Sequence, residues 1–388
     1  MVTIDREDSM KKALIVSSTG GFLSQFLEND VQVLQENGYE IHYASDFDNP
    51  VYAFNPESLR NAGIIMHQIV LHKKPWHLIK NTKGLIQLSD LIKKENISLV
   101  HCHNPVGGML GRLAGFCSGK NPYVIYTAHG FHFFKGAPKA YWLIFYPIER
   151  FLARFTDMII TINKEDYKRA CTFNLRKGGH VELLHGVGLD TDRFHPMPEL
   201  RKAVREELGI PDKGFHIVTA AELNNNKNHT VVLEAIRSLD DEDIYYSICG
   251  RGGKALELRN FIEESGLSDN IKLLGYRNDM ERILQSADVF AFPSKREGFG
   301  MAAVEALGCA VPVIAADNRG TREYMRNGEN GIVCRPNEVR DFEKAISTFK
   351  SNPDVRDAYS KKALELSNIF SKSSAKETMR EIYSKIQQ

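Results

Sequence analysis

The chain has 388 residues, enough for two domains of ordinary size, and its 43% hydrophobic and 26% charged residues fit a soluble globular protein. No apolar run approaches the roughly 20 residues that a membrane-spanning helix needs. The formal net charge is +1, and six scattered cysteines without a CxxC pair favour reduced thiols in a cytoplasmic protein over a disulfide or zinc framework.

The first ten residues, MVTIDREDSM, are acidic and lack the apolar centre of a signal peptide. Met10 is followed by two lysines and the apolar run ALIVSS, which is typical of a natural start. We therefore expect residues 1–9 to be an extension or an alternative start.

Short apolar runs alternate with helical stretches along the whole chain, which predicts α/β domains with doubly wound parallel sheets. The predicted strands are 13–17, 40–44, 98–101, 123–127, 158–162 and 180–184 in the first half, and 216–221, 244–249, 271–274, 288–292, 311–315 and 331–334 in the second. The segment His195-Pro196-Met197-Pro198 is too rich in proline for either element. The prediction is a first domain at 10–195, a linker at 196–213 that includes a helix at 201–208, and a second domain at 214–371.

Positive charge is concentrated in the first half. Residues 60–140 hold eleven lysines and arginines against two acids, a net charge of +9. A basic face suits an anionic partner such as a membrane surface or a polyprenyl diphosphate, and no nucleic-acid-binding module accompanies it. Next comes the aromatic run at 141–146, flanked by cations, which is typical of an interfacial helix. The alternative is a core helix whose cations reach the surface.

Glycines and histidines follow two of the strands in the first half. Gly20 and Gly21 come after the first strand, where a backbone without side chains can approach a ligand. The G-x-G-x-x-G pattern of dinucleotide binding is absent there. His129 ends the strand at 123–127. The segment His101-Cys102-His103-Asn104 offers metal ligands, but a fourth ligand is not evident, and local turn structure or the lining of a substrate site is the preferred interpretation.

The most informative segment is 292–309, FPSKREGFGMAAVEALGC, which reads as the end of a strand, a glycine-spaced loop and a helix. Gly298 and Gly300 leave backbone N–H groups uncovered where the helix begins, which suits an anion such as a diphosphate. Glu297 stands at the loop entrance and Glu305 in the helix. Carboxylates beside an anion site are good acceptors for sugar hydroxyls. The alternative is an ordinary crossover with surface glutamates.

This pattern resembles the Glu-x7-Glu signature of retaining, nucleotide-sugar-dependent glycosyltransferases of the large family-four-like group, with EGFG between strand and helix. The resemblance implies the GT-B fold, two doubly wound Rossmann-like domains facing a central cleft, with the C-terminal helix, 372–388, crossing back onto the first domain. It covers about residues 10–385 and is most specific in 216–335.

The resemblance also implies roles for residues of this chain. Catalytic roles fall to Glu297, His129 and Lys227: Glu297 would hold hydroxyls of the donor sugar, His129 a sugar hydroxyl or a phosphate oxygen, and Lys227 the diphosphate. Donor binding would involve Gly20, Gly21, Arg251, Tyr276, Arg277, Gly298, Phe299, Gly300, Met301 and Glu305, with Glu305 on the ribose. No metal and no other cofactor is expected, because the three Asp-x-Asp pairs at 46/48, 190/192 and 241/243 look like turn formers.

One position departs from the family pattern. Related enzymes carry an arginine where this chain has Glu222, five residues before Lys227. A carboxylate aimed at a diphosphate would be repelled, so Glu222 is expected to point elsewhere. Arg251 or Arg277, each in a neighbouring loop, is the candidate for the missing charge.

The implied partners are a nucleotide-sugar donor, with UDP-sugar favoured, and a glycan or polyprenyl-diphosphate-linked acceptor used in bacterial capsule or exopolysaccharide synthesis. The implied location is cytoplasmic, with peripheral contact at the inner face of the cell membrane through the basic first domain. Two alternatives stay open: a UDP-sugar epimerase of the same fold, and a non-catalytic nucleotide-binding scaffold.

Overall fold

The computed structural model describes residues 10–52, 54–72, 76–186 and 188–387. They form two compact units. The first runs to residue 186 and takes up the chain again from Ala375, and the second is Gly188–Ser374. Residues 1–9, Lys73 and Lys74 lie outside the described residues.

The first unit contains a parallel sheet of seven strands among its described residues, in the order β3-β2-β1-β4-β5-β6-β7. The strands are β1 (Lys11–Val16), β2 (Tyr39–Ser45), β3 (Ile64–Gln68), β4 (Leu99–His103), β5 (Tyr123–Ala128), β6 (Met158–Thr161) and β7 (His180–Leu183). Its helices are α1 (Phe22–Phe26), α2 (Glu28–Glu36), α3 (Pro56–Asn61), α4 (Leu78–Lys94), α5 (Pro105–Cys117), α6 (Lys139–Leu152) and α7 (Lys164–Ala170).

The second unit contains a parallel sheet of six described strands, in the order β10-β9-β8-β11-β12-β13. They are β8 (Phe215–Ala220), β9 (Ile244–Cys249), β10 (Ile271–Gly275), β11 (Val289–Phe292), β12 (Val313–Ala316) and β13 (Gly331–Cys334). Its helices are α8 (Arg201–Leu208), α9 (His229–Leu239), α10 (Ala255–Glu264), α11 (Met280–Ile283), α12 (Met301–Gly308), α13 (Thr321–Tyr324), α14 (Val339–Ser351) and α15 (Pro353–Ser367).

Helices cover both faces of each sheet, which is why the strands are continuous apolar runs. In the first unit, α4 and α5 pack on one face and α2 on the other. The last helix, α16 (Lys372–Ser384), places Met379, Ile382 and Tyr383 in the core on the α2 side. The strand order reverses between β1 and β4 and again between β8 and β11, and ligands of open α/β sheets bind at such switch points.

The fold class predicted from the sequence is confirmed as two Rossmann-like parallel sheets. Each predicted strand has a counterpart in the structure, and β3 was missed. The interval expected to be a linker, 196–213, begins with a short 3₁₀ turn at Pro198–Leu200 and continues into α8. Those residues belong to the second unit because Val204, Leu208 and Ile210 form a small core of their own there.

Candidate active site

The switch point of the second unit brings together the loops that follow β8 and β11. The Asn226 side chain donates to the Arg296 carbonyl at 2.9 Å, and the Lys295 backbone N–H donates to the Asn226 carbonyl at 2.8 Å. Lys227, next in the first loop, therefore lies beside the loop that carries Glu297. The sequence separates them by 70 residues, and the sheet order makes them neighbours.

Lys227 and Glu297 form a close ion pair. Lys227 Nζ lies 2.6 Å from Glu297 Oε1, and the two side chains are 21% and 14% exposed. The same ammonium lies 5.7 Å from the centre of the Phe292 ring, and the Glu297 backbone carbonyl accepts from Arg319. The pair is half-buried, with the Phe292 ring beside Lys227 and Arg319 bound to the Glu297 carbonyl. It therefore presents one cation and one carboxylate in fixed positions. Such an arrangement can hold a phosphate and a hydroxyl next to each other.

Helix α12 begins at this loop without a side-chain cap. Its N-cap residue is Gly300, at φ 103°, a left-handed conformation that favours glycine. A Cβ on Gly300 would come within 2.8 Å of the Phe292 ring and the Tyr324 hydroxyl, so packing also requires glycine. Phe299 is buried against Tyr324 and Phe370, so its side chain belongs to the core. The N–H groups around Met301 keep the character of an anion site.

Glu305 lies in the second turn of α12. Burial raises the pKa of its carboxyl to about 7, an effect that Arg193 opposes and Glu281 reinforces. Arg193 is itself bound to Glu281 at 2.6 Å. Among the described residues no hydrogen bond to the Glu305 carboxylate is found, so it can accept from a ligand hydroxyl.

The two arginines considered as substitutes at the Glu222 position behave differently. Arg277 is taken by Asp279, at 2.6 and 2.8 Å, and by Glu207 at 3.5 Å. Arg251 is exposed, and within the described chain its guanidinium meets only the Tyr276 ring, 5.9 Å from the ring centre. The Arg251 carbonyl accepts from Leu223 N at 2.9 Å, which joins its loop to the loop of Lys227. Glu222 is exposed to solvent.

Gly20 and Gly21 follow β1 as predicted, but their close neighbours are parts of the chain itself. A Cβ on Gly21, at φ 81°, would lie 2.3 Å from the Tyr52 carbonyl oxygen, and one on Gly20 would lie 3.2 Å from that of Asp46. These glycines therefore let Asp46, Tyr52 and Phe54 approach the start of α1 closely. Their role in donor binding stays a prediction.

His129 follows β5 and lines a cavity of about 270 Å³ together with Asn104, Gly130, Phe131 and His132 among others. Burial lowers the pKa of His129 to about 4, so its imidazole is neutral at pH 7. His129 Nε2 is 3.2 Å from His103 Nδ1, and the His129 ring meets the edge of the Phe22 ring.

The local turn considered for the His101–Asn104 segment was wrong for both histidines, while the lining of a substrate site stays a prediction. His101 and His103 are fully buried in β4, because that strand is covered on both faces. One ligand atom each of His101, His103 and Asp30 lie within 4.8 Å of one another, so the third candidate metal ligand comes from α2. Both His101 nitrogens are already hydrogen-bonded, to the Tyr383 hydroxyl at 2.8 Å and the Thr127 hydroxyl at 2.7 Å.

The Asp-x-Asp pairs fold as local turns. In two of them the first aspartate accepts the backbone N–H two residues on, Asp46 from Asp48 and Asp241 from Asp243. Asp190 accepts from Arg193 N instead and binds Lys372. All six cysteines, which lie within the described ranges, are free thiols.

Comparison with known proteins places these features in a family. Residues 13–163 match the model of the glycosyl transferase 4-like proteins, and residues 201–366 match that of glycosyl transferases group 1. EpsD of Bacillus subtilis, whose glycosyltransferase activity is assigned provisionally, is 37% identical over 302 residues, 77% of this chain and 79% of its own length. The chain belongs to the family-four-like GT-B glycosyltransferases. It is a glycosyltransferase of the EC 2.4 class.

Two further relatives of this glycosyltransferase are informative. An Escherichia coli enzyme named UDP-Gal:α-D-GlcNAc-diphosphoundecaprenol α-1,3-galactosyltransferase is 31% identical over 274 residues, 69% of this chain and 70% of its own length. The crystal structure of Anabaena HepE with UDP and glucose superposes with a TM-score of 0.80 at 17% identity, covering 97% of this chain and 100% of HepE. At that identity HepE supports the fold alone.

Proposed function

We propose that this glycosyltransferase transfers a hexose from a UDP-sugar, with retention of the anomeric configuration, to a hydroxyl of a lipid-linked acceptor glycan in bacterial surface polysaccharide synthesis. The observation that carries the proposal is the Lys227–Glu297 pair beside the uncapped start of α12. The choice of UDP is supported by the donor named for the E. coli relative. The diphosphoundecaprenol in that relative's name supports a lipid-linked acceptor.

In the proposed mechanism the bond between the sugar and the nucleoside diphosphate breaks while negative charge develops on the leaving phosphate. The acceptor hydroxyl oxygen bonds to the anomeric carbon, and its proton passes to the departing phosphate. Lys227 and the N–H groups at the start of α12 would stabilise that charge, because they are fixed before the reaction begins. The Glu297 carboxylate beside Lys227 would accept hydroxyls of the donor sugar. Glu305 would accept from the ribose, and His129 would contact the sugar or the phosphate. No step requires a metal, so turnover should survive EDTA.

Membrane contact is proposed for helix α6. Its Trp142, Phe145 and Tyr146 pack against the core, while Leu143 and Ile144 are 78% and 53% exposed. The helix is therefore partly core and partly an apolar surface. Further exposed apolar side chains on the helix are Tyr141, Ile148 and Phe151, and Lys139 and Arg150 are exposed beside them.

Apolar side chains ringed by cations suit the surface of an anionic bilayer. None of the described helices combines the length and apolar character that crossing a bilayer requires. Arg112, one of the cations counted in the basic stretch, is buried and paired with Glu149, so it adds nothing to this surface. At low salt the protein should float together with anionic vesicles. The Leu143→Glu variant should bind these vesicles more weakly than the wild type.

The experiment that tests the donor is a thermal-shift panel with UDP, GDP, ADP and NAD. A ligand at 100 times its Kd adds about 2.7 kcal/mol to stability, which the scan resolves. UDP should stabilise the wild type and fail to stabilise Lys227→Ala. Lys202→Ala, an exposed lysine on α8, is the matched control and should respond like the wild type.

Other outcomes separate the alternatives. Stabilisation by GDP or ADP would keep the mechanism and change the donor. No shift with any nucleotide would favour a non-catalytic scaffold whose nucleotide cleft is degenerate. Rearrangement of a UDP-sugar without any acceptor would identify an epimerase.

A further inference from the structure

The first unit contains a buried row of four titratable side chains that the proposed mechanism does not use. They are Asp30, His101, His103 and Tyr383. His103 ends β4 and pairs in register with Thr127, near the end of β5. Asp30 lies on α2 and Tyr383 on α16, and all of these groups are within a few per cent of complete burial. The row adjoins His129 through the contact between His103 and His129. In the proposed function, His129 binds either a sugar hydroxyl or a phosphate oxygen.

His103 connects the row to His129. Its Nδ1 lies 3.2 Å from His129 Nε2, and its Nε2 is buried and has no hydrogen-bond partner among the described residues. A cavity of about 10 Å³, roughly the volume that one water needs, is lined by Asp30, His103, Thr127 and His129 among others. His103 and Asp30 therefore line one small enclosure, whose remaining walls include the apolar residues Phe26, Leu27 and Met379.

Charge states limit how protons can be arranged in this row. Burial lowers the pKa of His129 to about 4 and that of His103 well below its ordinary value, so each imidazole carries a single N–H at pH 7. Burial raises the pKa of Asp30 to about 7, which makes it a carboxylate above that pH. Tyr383 shares its hydroxyl between Asp30, at 3.0 Å, and His101.

A carboxylate accepts hydrogen bonds and cannot donate them. Asp30 therefore favours the His103 tautomer with its proton on Nε2, directed into the shared enclosure. His103 Nδ1 must then accept, so His129 donates from Nε2. His129 is left with a lone pair on Nδ1, which no described residue occupies, and a lone pair attracts a hydroxyl proton but repels a phosphate oxygen.

We infer that Asp30 and His103 are positioning residues that hold His129 as the tautomer with an unprotonated Nδ1, so that His129 accepts a hydrogen bond from a sugar hydroxyl and not from a phosphate. This inference rests on the proposed function for the identity of the ligand. The tautomer itself is a property of the free protein. A divalent cation on Asp30, His101 and His103 is the competing occupant, and it would have to displace the hydroxyls already bonded to His101.

The test is long-range ¹H–¹⁵N correlation spectroscopy of the full-length protein labelled with ¹⁵N-histidine, at pH 8 without nucleotide. His129→Asn identifies the His129 signals by their loss. The expected wild-type result is a protonated Nε2 and an unprotonated Nδ1. This result is read from the wild-type spectrum, so it does not depend on whether Asp30→Asn folds.

Asp30→Asn provides the second arm. Its amide can donate where the carboxylate could only accept, so the His129 proton should move to Nδ1, and kcat should fall about tenfold while the donor KM stays unchanged. Asp157→Asn is the matched control: this aspartate of the same unit binds Val124 N and Arg176 and does not touch the row.

Three results would overturn the inference: a wild-type His129 protonated on Nδ1, an Asp30→Asn spectrum with an unchanged His129, or stoichiometric Zn²⁺ binding that Asp30→Asn abolishes. Failure of the donor assignment would appear separately, as the absence of a thermal shift with UDP.

Discussion

The two sheets end in loops at equivalent places, yet the chemistry of those places differs. At the switch point of the second unit, Lys227 and Glu297 are charged, paired and partly open to solvent. At the same edge of the first unit, His103 is buried and His129 is half-buried, and burial keeps both imidazoles neutral at pH 7. The same kind of sheet edge therefore holds a charged pair in one unit and neutral imidazoles in the other, depending on whether each group has a partner of opposite charge. Charge can be kept only where solvent or a partner compensates for desolvation.

The largest expected effect concerns the buried ion pair of Arg112 and Glu149 in the first unit. Arg112 Nη1 donates to Glu149 Oε2 at 2.8 Å, and the guanidinium stacks 3.9 Å from the centre of the Tyr126 ring. Glu149→Ala would leave the guanidinium unpaired, and we expect a loss of about 3–5 kcal/mol in the free energy of unfolding, measured with urea.

Replacing both partners, Arg112→Leu with Glu149→Leu, should recover much of that loss because no charge is then left buried. If the free energy of unfolding of Glu149→Ala lies within about 1 kcal/mol of the wild-type value, the first unit tolerates an unpaired buried charge. That result would contradict the difference drawn between the two units.

The next effect tests whether solvent-exposed cations at the switch point of the second unit are available to the donor. Removing a charge-assisted hydrogen bond of about 1.5–3 kcal/mol corresponds to roughly a 10- to 100-fold change in affinity. Arg251→Ala should therefore raise the donor KM by about that factor, because its guanidinium is exposed and unclaimed by any described acid. Arg277→Ala, whose partners are Asp279 and Glu207, should change it by about twofold or less. The reverse order of the two variants would assign the missing cation to Arg277.

Glu305 of the second unit resembles Asp30 of the first, because burial raises the pKa of both carboxyl groups to about 7. Its pKa, raised by burial to about 7 from an ordinary 4.5, means that the folded state binds more protons than the unfolded state between those pH values. Stability must fall as the pH rises through that window. Glu305→Gln removes the effect, so the variant should be more stable than the wild type at pH 8, by about 3 kcal/mol, and equal to it below about pH 4.5.

Thermal melting from pH 4 to pH 8.5 measures this difference. Glu257→Gln, a glutamate of the same unit that pairs with Lys254 on the surface, serves as the control and should give curves parallel to the wild type. A Glu305→Gln protein whose advantage does not grow with pH would show that the carboxylate is already solvated.

The smallest effect concerns the scaffold of the first-unit edge. Asn163 caps α7 by accepting from Asp166 N at 2.8 Å, and Asp166 accepts from Phe131 N at 3.1 Å, two residues after His129. Asn163→Ala should cost about 1–2 kcal/mol in urea unfolding. Asn55→Ala, an exposed cap of α3, should cost about 0.5 kcal/mol, and equal costs would mean that the Asp166 link adds nothing.

Much of the fold was predictable, because a parallel strand covered on both faces is an apolar run that local sequence displays. β3 was missed since it is an edge strand whose Ile65 is 41% exposed and whose last two residues, His67 and Gln68, are polar. The family resemblance assigned Lys227 and Glu297 to one donor site, but their ion pair was not predicted. The role of His103 was not predictable, because its neighbour Asp30 is distant in the chain and α2 gives no local signal of that contact.

The sequence by itself determined the alternation of strands and helices, the glycine-spaced start of α12 and the identity of the groups that can meet a diphosphate, since each depends on residues close together in the chain. Only the tertiary structure decided which of those charged groups have a partner of opposite charge and which face solvent. It directed Arg277 to Asp279 and Glu207, left Arg251 in solvent, and buried His101 between Tyr383 and Thr127. Burial and pairing depend on contacts between residues up to 353 positions apart, as between Asp30 and Tyr383, and these fix whether a titratable group is charged, neutral or restricted to one tautomer.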